Sequence, residues 1–414
     1  MELSEVIKSI SDMIKFDSSQ SSPEKGMPFG EGAARCLEEF LALARSFGFE
    51  TKNYDNYAGE VIFGEGEEFA ILAHLDVVPA GSGWTHDPFG GEIDYKNSKI
   101  WGRGAMDDKG PAVISLYALK ALKDGGFKPK KKIKLILGCN EDNGWECIAH
   151  YNKVAHMPEV GMSPDADFPV IYAEKGILQL KLKFPALEGI SIRGGERANM
   201  VCDLCEVVAP VDLEKLKKYN LSFENGKIIS RGKSAHGSTP ELGVNAIQPG
   251  LKYLGLNEMH RLLFEDGFSI CSLSDVTGKL SFSPNVIESG KDAIFVTCDI
   301  RYPATYEREV VLSAIERAGI PYEITHYSAP LYNDKKCELI KTLCGVYNEV
   351  TGKNTVPVAI GGGTYARALK CGAAFGPEED GEESTIHKPN EYITFEKIEK
   401  CLKIYKLAIE RLTK

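Results

Sequence analysis

Apolar and polar residues follow two patterns along the chain, one typical of helices and one typical of strands. Residues 3–14 carry apolar side chains at helical spacing, which predicts an amphipathic surface helix. A second helix is predicted over 31–48, where the pattern ends at a glycine, and a third after Gly110. The apolar runs at 69–79 and 131–142 predict buried strands that end in polar residues. This succession of strand, helix and strand indicates a largely parallel sheet covered by helices.

The middle of the chain has a different pattern. Alternating segments at 178–184 and 293–303 predict half-buried strands, and helical stretches are predicted near 241–263 and 307–318. We interpret this α+β pattern as an inserted domain.

The helix-then-strand pattern returns after Pro330, with a helix predicted over 337–352 and a glycine-rich segment after it. A chain of 414 residues is longer than one core usually organises, so two domains are expected. The predicted fold class is α/β. It comprises a discontinuous domain at 1–179 and 329–414, with a mostly parallel, helix-covered sheet, and an inserted α+β domain at 180–328.

Composition and charge narrow the possible partners. The chain is 43% hydrophobic and 26% charged, which is ordinary for a soluble globular protein. A net charge of −10 argues against nucleic acid and against anionic membrane surfaces as partners. No apolar run approaches the roughly 18 residues of a membrane span. The first residues do not form a signal peptide, and the 11 cysteines are expected to be reduced, so a cytoplasmic location is expected.

Polar residues collect where the predicted strands end, which is where ligands bind in open α/β sheets. His74 and Asp76 lie two positions apart on a strand and therefore face the same side. Alone, this pair is more typical of a buried, hydrogen-bonded histidine. Asp107 and Asp108 lie in a glycine-rich turn, where a carboxylate either caps a helix or bridges two cations.

Further acids and a late histidine complete the set. Glu141 and Asp142 are adjacent at the end of an apolar strand, and neighbouring carboxylates repel unless metal or protons neutralise them. A hydrated turn is the alternative there. Asp165 lies between two prolines, and His387 stands near the C-terminus. Two histidines and at least three carboxylates at strand ends form the ligand set of a two-metal site.

The order and context of these residues resemble a known family, the aminoacylase/carboxypeptidase-type co-catalytic metallopeptidases. The likeness is greatest to the bacterial dipeptidases of the PepV kind, which act on β-Ala-Xaa and ordinary dipeptides. It rests on segments that span nearly the whole chain: HLDVVP, WGRGAMDDKGP, the acidic pair before NGW, SPDADFPVIYAEKG, RANMV, SAHGSTPELGVNA, DIRYP, GGGTYAR and IHKPNEYI.

The resemblance implies two divalent metal ions, zinc by default with manganese or cobalt as alternatives. It implies that Asp107 bridges the ions, that His74 and Asp165 bind one of them, and that His387 and Asp142 bind the other. It also implies a cis peptide bond between Asp107 and Asp108. The family usually has two glutamates where this chain has Glu141 and Asp142, and the shorter aspartate affects geometry or metal preference.

The resemblance also implies a mechanism. Glu141 would act as general base on a metal-bridged water, and Asp76 would orient His74. His236, in the inserted domain, would stabilise the oxyanion, although alone it is typical of an exposed loop histidine. Arg301 would clamp the substrate carboxylate. Weaker substrate-binding candidates are Asn199, Arg367 and Gly362.

The function implied is hydrolysis of the peptide bond of dipeptides, with the inserted domain acting as a lid that closes over a small peptide. An N-acyl-amino-acid deacylase or a carboxypeptidase would use the same metal ligands, and a non-catalytic binding protein on a hydrolase scaffold is a further alternative. No GxSxG elbow and no GxxxxGK[ST] loop is present in the sequence. Both a monomer and a homodimer formed through the lid domain are compatible with the sequence.

Overall fold

The computed structural model describes residues 2–379 and 381–414. These residues form two compact units. The first unit comprises Met1–Tyr172, Asn333–Val358 and Thr364–Lys414, and the second comprises Ala173–Tyr332 and Ala359–Gly363. The predicted domain boundaries were 180 and 328, and the short segment Ala359–Gly363 was not predicted to leave the first domain.

Helices occur in both units. The α-helices of the described residues are α1 (Leu3–Ile14), α2 (Glu31–Ser46), α3 (Lys109–Asp124), α4 (Glu146–Val154), α5 (Leu213–Lys218), α6 (Ile247–Leu254), α7 (Asn257–His260), α8 (Arg308–Arg317), α9 (Glu338–Thr351) and α10 (Phe395–Thr413). No helix among these residues has the length and apolar character needed to cross a membrane.

Strands alternate with these helices in the first unit and dominate the second. They are β1 (Glu50–Tyr54), β2 (Ala58–Phe63), β3 (Glu67–His74), β4 (Glu92–Asp94), β5 (Lys99–Trp101), β6 (Lys131–Gly138), β7 (Val160–Ser163), β8 (Ala166–Asp167), β9 (Ile171–Glu174), β10 (Gly176–Pro185), β11 (Ser191–Gly194), β12 (Leu204–Val208), β13 (Ser222–Glu224), β14 (Lys227–Arg231), β15 (Ser274–Asp275), β16 (Gly278–Lys279), β17 (Ser281–Ser289), β18 (Ala293–Tyr302), β19 (Tyr322–Ser328), β20 (Leu331–Tyr332), β21 (Val358–Ile360), β22 (Cys371–Ala374), β23 (Pro377–Glu378) and β24 (Tyr392–Thr394).

The main sheet of the first unit has the strand order β1-β2-β6-β3-β7-β22-β9. Its centre, β6-β3-β7-β22, is parallel, and antiparallel pairs extend it at both ends. Nearly every residue of β2, and all but the first two of β3 and β6, are buried, because helices cover this sheet. The predicted α/β class with a helix-covered, mostly parallel sheet is confirmed.

The strand predicted over 69–79 is shorter than expected. β3 ends at His74, and the last contact in register with the sheet is the Leu75 N–H donated to the Gly138 carbonyl. β6 also ends at Gly138, so the residues that follow both strands leave the sheet at the same edge. This common end is what brings the polar residues together.

Helices of the first unit form as the apolar periodicity predicts. α1 buries Val6, Ile7, Ile10 and Ile14, which lie on one face. α10 packs on α3, and α3 contacts β3 and β6.

The second unit contains an antiparallel sheet with the order β13-β14-β12-β11-β17-β18-β10-β19. Its strands β10 and β18 pair over their full length, from Gly176 with Tyr302 to Pro185 with Ala293. The predicted helical stretch near 241–263 is interrupted, because Gly255 adopts a φ of 69° and ends α6.

Candidate metal centre

One histidine and two aspartates meet at the end of β3. The Nε2 atom of His74 lies 3.0 Å from Oδ1 of Asp107 and 3.7 Å from Oδ2 of Asp165. The side chain of His74 is fully buried and that of Asp107 nearly so. Each of the three residues offers one ligand atom within a small volume.

A second cluster shares Asp107 with the first. The Nε2 atom of His387 lies 2.8 Å from Oδ2 of Asp107 and 3.3 Å from Oδ1 of Asp142. Asp107 therefore directs one oxygen to each histidine. In the structure Asp165 lies beside His74, and Asp142 lies beside His387.

The spacing of these atoms suits metal ions. Ligands about 2.0–2.2 Å from a tetrahedral zinc lie roughly 3.3–3.6 Å from one another, close to the separations seen here. Although His74 Nε2 is 3.0 Å from Asp107, the two atoms do not have hydrogen-bond geometry, and Nε2 is a buried nitrogen without a hydrogen-bond partner. Oδ2 of Asp142 is likewise buried without one. Buried polar atoms of this kind call for a ligand, and the donor set of imidazole and carboxylate fits a divalent cation.

The electrostatics of the cluster also favour bound cations. Burial raises the pKa of Glu141 well above its usual range and that of Asp142 to about 6. Burial, reinforced by the charge of Asp107, also raises the pKa of Asp165. For His387, burial opposes the charged ring, but hydrogen bonds to Asp107 and Asp142 outweigh it and raise the pKa to about 10. The cluster thus has an excess of negative charge, which bound cations would neutralise.

Asp76 holds the backbone of the acidic pair. Its Oδ1 accepts the N–H of Glu141 at 3.0 Å, and its Oδ2 accepts the N–H of Asp142 at 3.1 Å. Nδ1 of His74 lies 3.1 Å from the backbone carbonyl of Asp76 and 3.6 Å from its Oδ1. Asp76 lies beside His74, but its backbone carbonyl makes the 3.1 Å contact with Nδ1. Its carboxylate instead binds two residues that the sequence did not link to it.

Glu141 is held by a tryptophan. The indole N–H of Trp145 donates to Oε1 of Glu141 at 3.1 Å. Trp145 has a φ of 64° and stands edge-on to Tyr365, and Tyr365 in turn stands edge-on to His74. These two aromatic residues form one wall of the cluster.

Asp108 supports the strand end rather than the metal clusters. Its Oδ2 accepts the backbone N–H of His74 at 3.0 Å, and its side chain is fully buried. The peptide bond between Asp107 and Asp108 is cis, as the resemblance implied.

Three of the predicted substrate-side residues lie in the second unit. The carbonyl of Asn199 accepts the N–H of Gly237, which follows His236. The N–H of Ser238 donates to Nδ1 of His236 at 3.2 Å, and the hydroxyl of Ser238 lies 2.7 Å from the same nitrogen. Arg301 lies on β18 and is nearly buried.

Asp299 connects these residues within the second unit. Its carboxylate is fully buried and accepts from Nε and Nη2 of Arg301 and from the amide of Gln179. A Cβ atom at position 237 would lie 3.1 Å from the Asp299 carboxyl carbon, so a larger residue there would require its neighbours to shift by a few tenths of an ångström.

The remaining predicted residues fall in the glycine-rich segment. Gly362 belongs to the second unit, where neighbouring Gly361 faces the amino group of Lys175. Arg367 belongs to the first unit and lies in a short 3-10 turn that includes Tyr365.

Sequence reasoning gave no role to Trp145, Tyr365 or Asp299, although each stands inside a motif that carried the resemblance. Their types, two aromatic residues and an aspartate on a strand, carry no specific signal. An aromatic residue or an acid next to a ligand motif is the only clue that the sequence offers.

A protein family and two curated proteins match most or nearly all of this chain. The model of peptidase family M20/M25/M40 matches residues 70–411. YtjP of Bacillus subtilis is 34% identical over 458 aligned positions, covering 99% of this chain and 97% of that protein. Beta-Ala-Xaa dipeptidase of Lactobacillus delbrueckii subsp. lactis is 32% identical over 455 positions, covering 99% and 96%.

A solved structure shares the fold at low identity. Aminopeptidase PepT of Bacillus cereus superposes with a TM-score of 0.63 at 15% identity, covering 100% of this chain and 99% of that one. With a family model that spans most of the chain and relatives that span nearly all of it, the chain belongs to peptidase family M20/M25/M40.

Proposed function

We propose that the protein hydrolyses the peptide bond of dipeptides and uses two divalent metal ions to do so. The observation that carries this proposal is the pair of ligand clusters that share Asp107. A carboxylate whose two oxygens face two different histidines is what a two-metal site requires. The relative named Beta-Ala-Xaa dipeptidase, which aligns with nearly the whole chain, supports dipeptides as the substrate class.

The residues proposed to hold the ions are His74 and Asp165 for one, His387 and Asp142 for the other, and Asp107 for both. When bound, such ions would polarise the scissile carbonyl and lower the pKa of the attacking water. We propose zinc, with manganese or cobalt as alternatives, because imidazole and carboxylate ligands suit all three.

Glu141 is proposed as the general base. Its Oε1 is occupied by the indole N–H of Trp145, so we assign proton uptake from water to Oε2. The same carboxyl group then gives the proton to the leaving amine. Burial raises the pKa of the Glu141 carboxyl above its ordinary value, which is the direction suited to a group that takes a proton and then gives it up.

His236 is proposed to donate a hydrogen bond to the developing oxyanion. The N–H of Ser238 at Nδ1 supports this role, because accepting that bond favours the tautomer with the ring proton on Nε2. We further propose that Arg301 and Asn199 bind the substrate, with Arg367 and Gly362 as additional contacts. Asp299 fixes the guanidinium of Arg301 in one orientation, which suits bidentate binding of a carboxylate.

We propose a cytoplasmic location on the basis of the cysteines. All 11 are free thiols, and most are buried. A chain with this many unpaired cysteines is suited to a reducing compartment.

Metal-stripped protein supplied with zinc, manganese or cobalt tests the proposal. The substrates are β-Ala-His, Leu-Leu, one tripeptide and N-acetyl amino acids. We expect metal-dependent cleavage of the dipeptides, and a loss of kcat of about 10²–10⁴-fold in Glu141→Gln because the base is removed. Glu146→Gln is the matched control, since Glu146 is an exposed acid in the first turn of α4.

Other outcomes would redirect the proposal. Release of acyl groups from N-acetyl amino acids with dipeptides left intact would identify a deacylase. Cleavage of the tripeptide from its C-terminal end in preference to dipeptides would identify a carboxypeptidase. No cleavage of any amide with any metal would favour a binding protein on a hydrolase scaffold.

A further inference from the structure

A buried ion pair lies beside the metal centre but contains none of its proposed ligands. Nη1 of Arg103 donates to Oε2 of Glu391 at 2.7 Å. Glu391 is 0% exposed and Arg103 1%. The guanidinium of Arg103 also lies over the ring of Trp84, 5.3 Å from its centroid. Removing two charges from water is unfavourable, so a pair buried this completely requires further compensation.

The compensation comes from the loop that carries Asp107. Oε1 of Glu391 accepts three backbone N–H groups, those of Gly104 at 3.1 Å, Met106 at 2.9 Å and Asp107 at 3.3 Å. One carboxylate oxygen thus fixes the course of the backbone up to the residue that faces both histidines. The charge of Arg103 neutralises the carboxylate from the other side.

The same glutamate is tied to the segment that carries His387. Glu391 follows His387 by four positions, directly before β24. Its carbonyl accepts the N–H of Gly102, which continues the pairing of β24 with β5. The side chain of neighbouring Asn390 accepts the N–H of Thr85 at 2.9 Å.

We propose that Glu391, neutralised by Arg103, is a positioning residue that sets the distance between Asp107 and His387 and thereby the affinity of the metal ion they share. It touches no reacting atom. Its effect passes through the backbone of Asp107 on one side and through the short link to His387 on the other. This inference rests on the proposed two-metal function.

Glu391→Gln tests the role with little change of shape. A glutamine has one carbonyl oxygen and one amide nitrogen where the carboxylate had two oxygens. If the glutamine carbonyl faces the three N–H groups, the glutamine NH₂ group faces Nη1 of Arg103, and two donors oppose each other. In the opposite orientation the NH₂ group faces the three backbone N–H groups. Either way one donor group faces another, which disfavours the arrangement that anchors the Asp107 loop, and we expect zinc affinity for one ion to fall about 10–100-fold.

The double variant Arg103→Met with Glu391→Gln provides the second test. With the guanidinium gone, the glutamine is able to turn its carbonyl to the three N–H groups, and replacing both charges of a buried pair is often tolerated. We therefore expect its zinc affinity to lie between those of the wild type and Glu391→Gln. Glu60→Gln is the matched control, because Glu60 is equally buried in the same unit and is bonded to Tyr54 and Tyr151 instead.

The measurement is calorimetric titration of metal-stripped protein with Zn²⁺, with kcat and KM for β-Ala-His as the second readout. Weaker zinc binding in Glu391→Gln, with partial recovery in the double variant and none of this in Glu60→Gln, supports the proposal. Wild-type affinity in Glu391→Gln, no recovery in the double variant, or an equal loss in Glu60→Gln would overturn it. Failure of the wild type to bind two ions would instead refute the two-metal function itself.

Discussion

Asp76→Asn is the change whose consequence the structure defines most closely. The carboxylate of Asp76 is 1% exposed and uses each oxygen for one backbone N–H, that of Glu141 and that of Asp142. Asparagine has the same shape but only one acceptor oxygen, so one of the two N–H groups must face an amide nitrogen. His74 is unaffected in this respect, because its Nδ1 contacts the Asp76 backbone carbonyl, which asparagine retains.

The magnitude follows from the lost bond. A buried backbone N–H left without an acceptor costs about 1–3 kcal/mol. If that free energy acts on the position of Glu141 and Asp142, it corresponds to roughly a 5- to 150-fold loss. This range contains the 10- to 100-fold effect that is typical of residues orienting metal ligands.

The assay measures kcat and KM for β-Ala-His at saturating zinc, together with zinc affinity of the metal-stripped protein. We expect kcat or the affinity for one ion to fall by this factor while KM changes little. The control is Asp212→Asn at the N-cap of α5, where a single oxygen of Asp212 accepts from Glu214 and Lys215. Asparagine caps helices as well as aspartate does, so no loss is expected there. Wild-type kcat and zinc affinity in Asp76→Asn would refute the view that these two hydrogen bonds position the acids.

Three further predictions concern the same centre. Trp145→Phe removes the N–H bonded to Glu141 and is expected to lower kcat roughly 10- to 150-fold with KM unchanged, since one hydrogen bond to a charged group contributes about 1.5–3 kcal/mol. Unchanged kcat would show that the indole does not orient the base. Contacts with Asp107 and Asp142 raise the pKa of His387 to about 10, so a metal ion that binds this histidine at neutral pH must displace a proton. Zinc affinity measured by calorimetry is therefore expected to rise about tenfold per pH unit between pH 6 and 8. An affinity that does not change with pH would contradict this prediction. The same raised pKa stabilises the metal-free fold. This contribution to the free energy of unfolding is fully present below about pH 6.5 and is lost as the pH rises through about 10. Asp142→Glu adds a methylene where Oδ1 already lies 3.3 Å from Nε2 of His387. It is expected to weaken the binding of one zinc ion roughly tenfold, because overfilling a packed site costs about 1–3 kcal/mol. Tighter zinc binding in this variant would refute the prediction.

The ligand roles of Asp107, Asp165 and His387 were implied by the family resemblance of their motifs, whereas the fold class was predictable from local signals. Apolar runs define β3 and β6, and acids or histidines follow each run directly. The features that the sequence did not predict depend on contacts between segments that are distant in the sequence. The bond between Arg103 and Glu391 joins positions 288 apart, and neither residue type indicates a partner by itself.

Element ends were also beyond local reasoning. The run at 69–79 is apolar except for His74 and Asp76, yet the chain leaves the sheet after His74, where partner strand β6 also ends, at Gly138. Similarly, the helical pattern near 241–263 contains Gly255, whose positive φ ends α6. The apolar periodicity continues past this glycine and therefore did not predict the end of the helix.

The course of the chain between the two units limits how the protein can be divided for study. The second unit takes Ala359–Gly363 from a part of the sequence well beyond Tyr332, so no continuous fragment reproduces it. A cut after Tyr172 would also divide β9, whose first residue pairs with Ala374 and whose last pairs with Leu331. A fragment of either unit would expose unpaired strand edges of the kind that promote aggregation. Experiments on this protein are therefore best made with point substitutions in the full chain, and a circular permutant is a better starting point than a truncation.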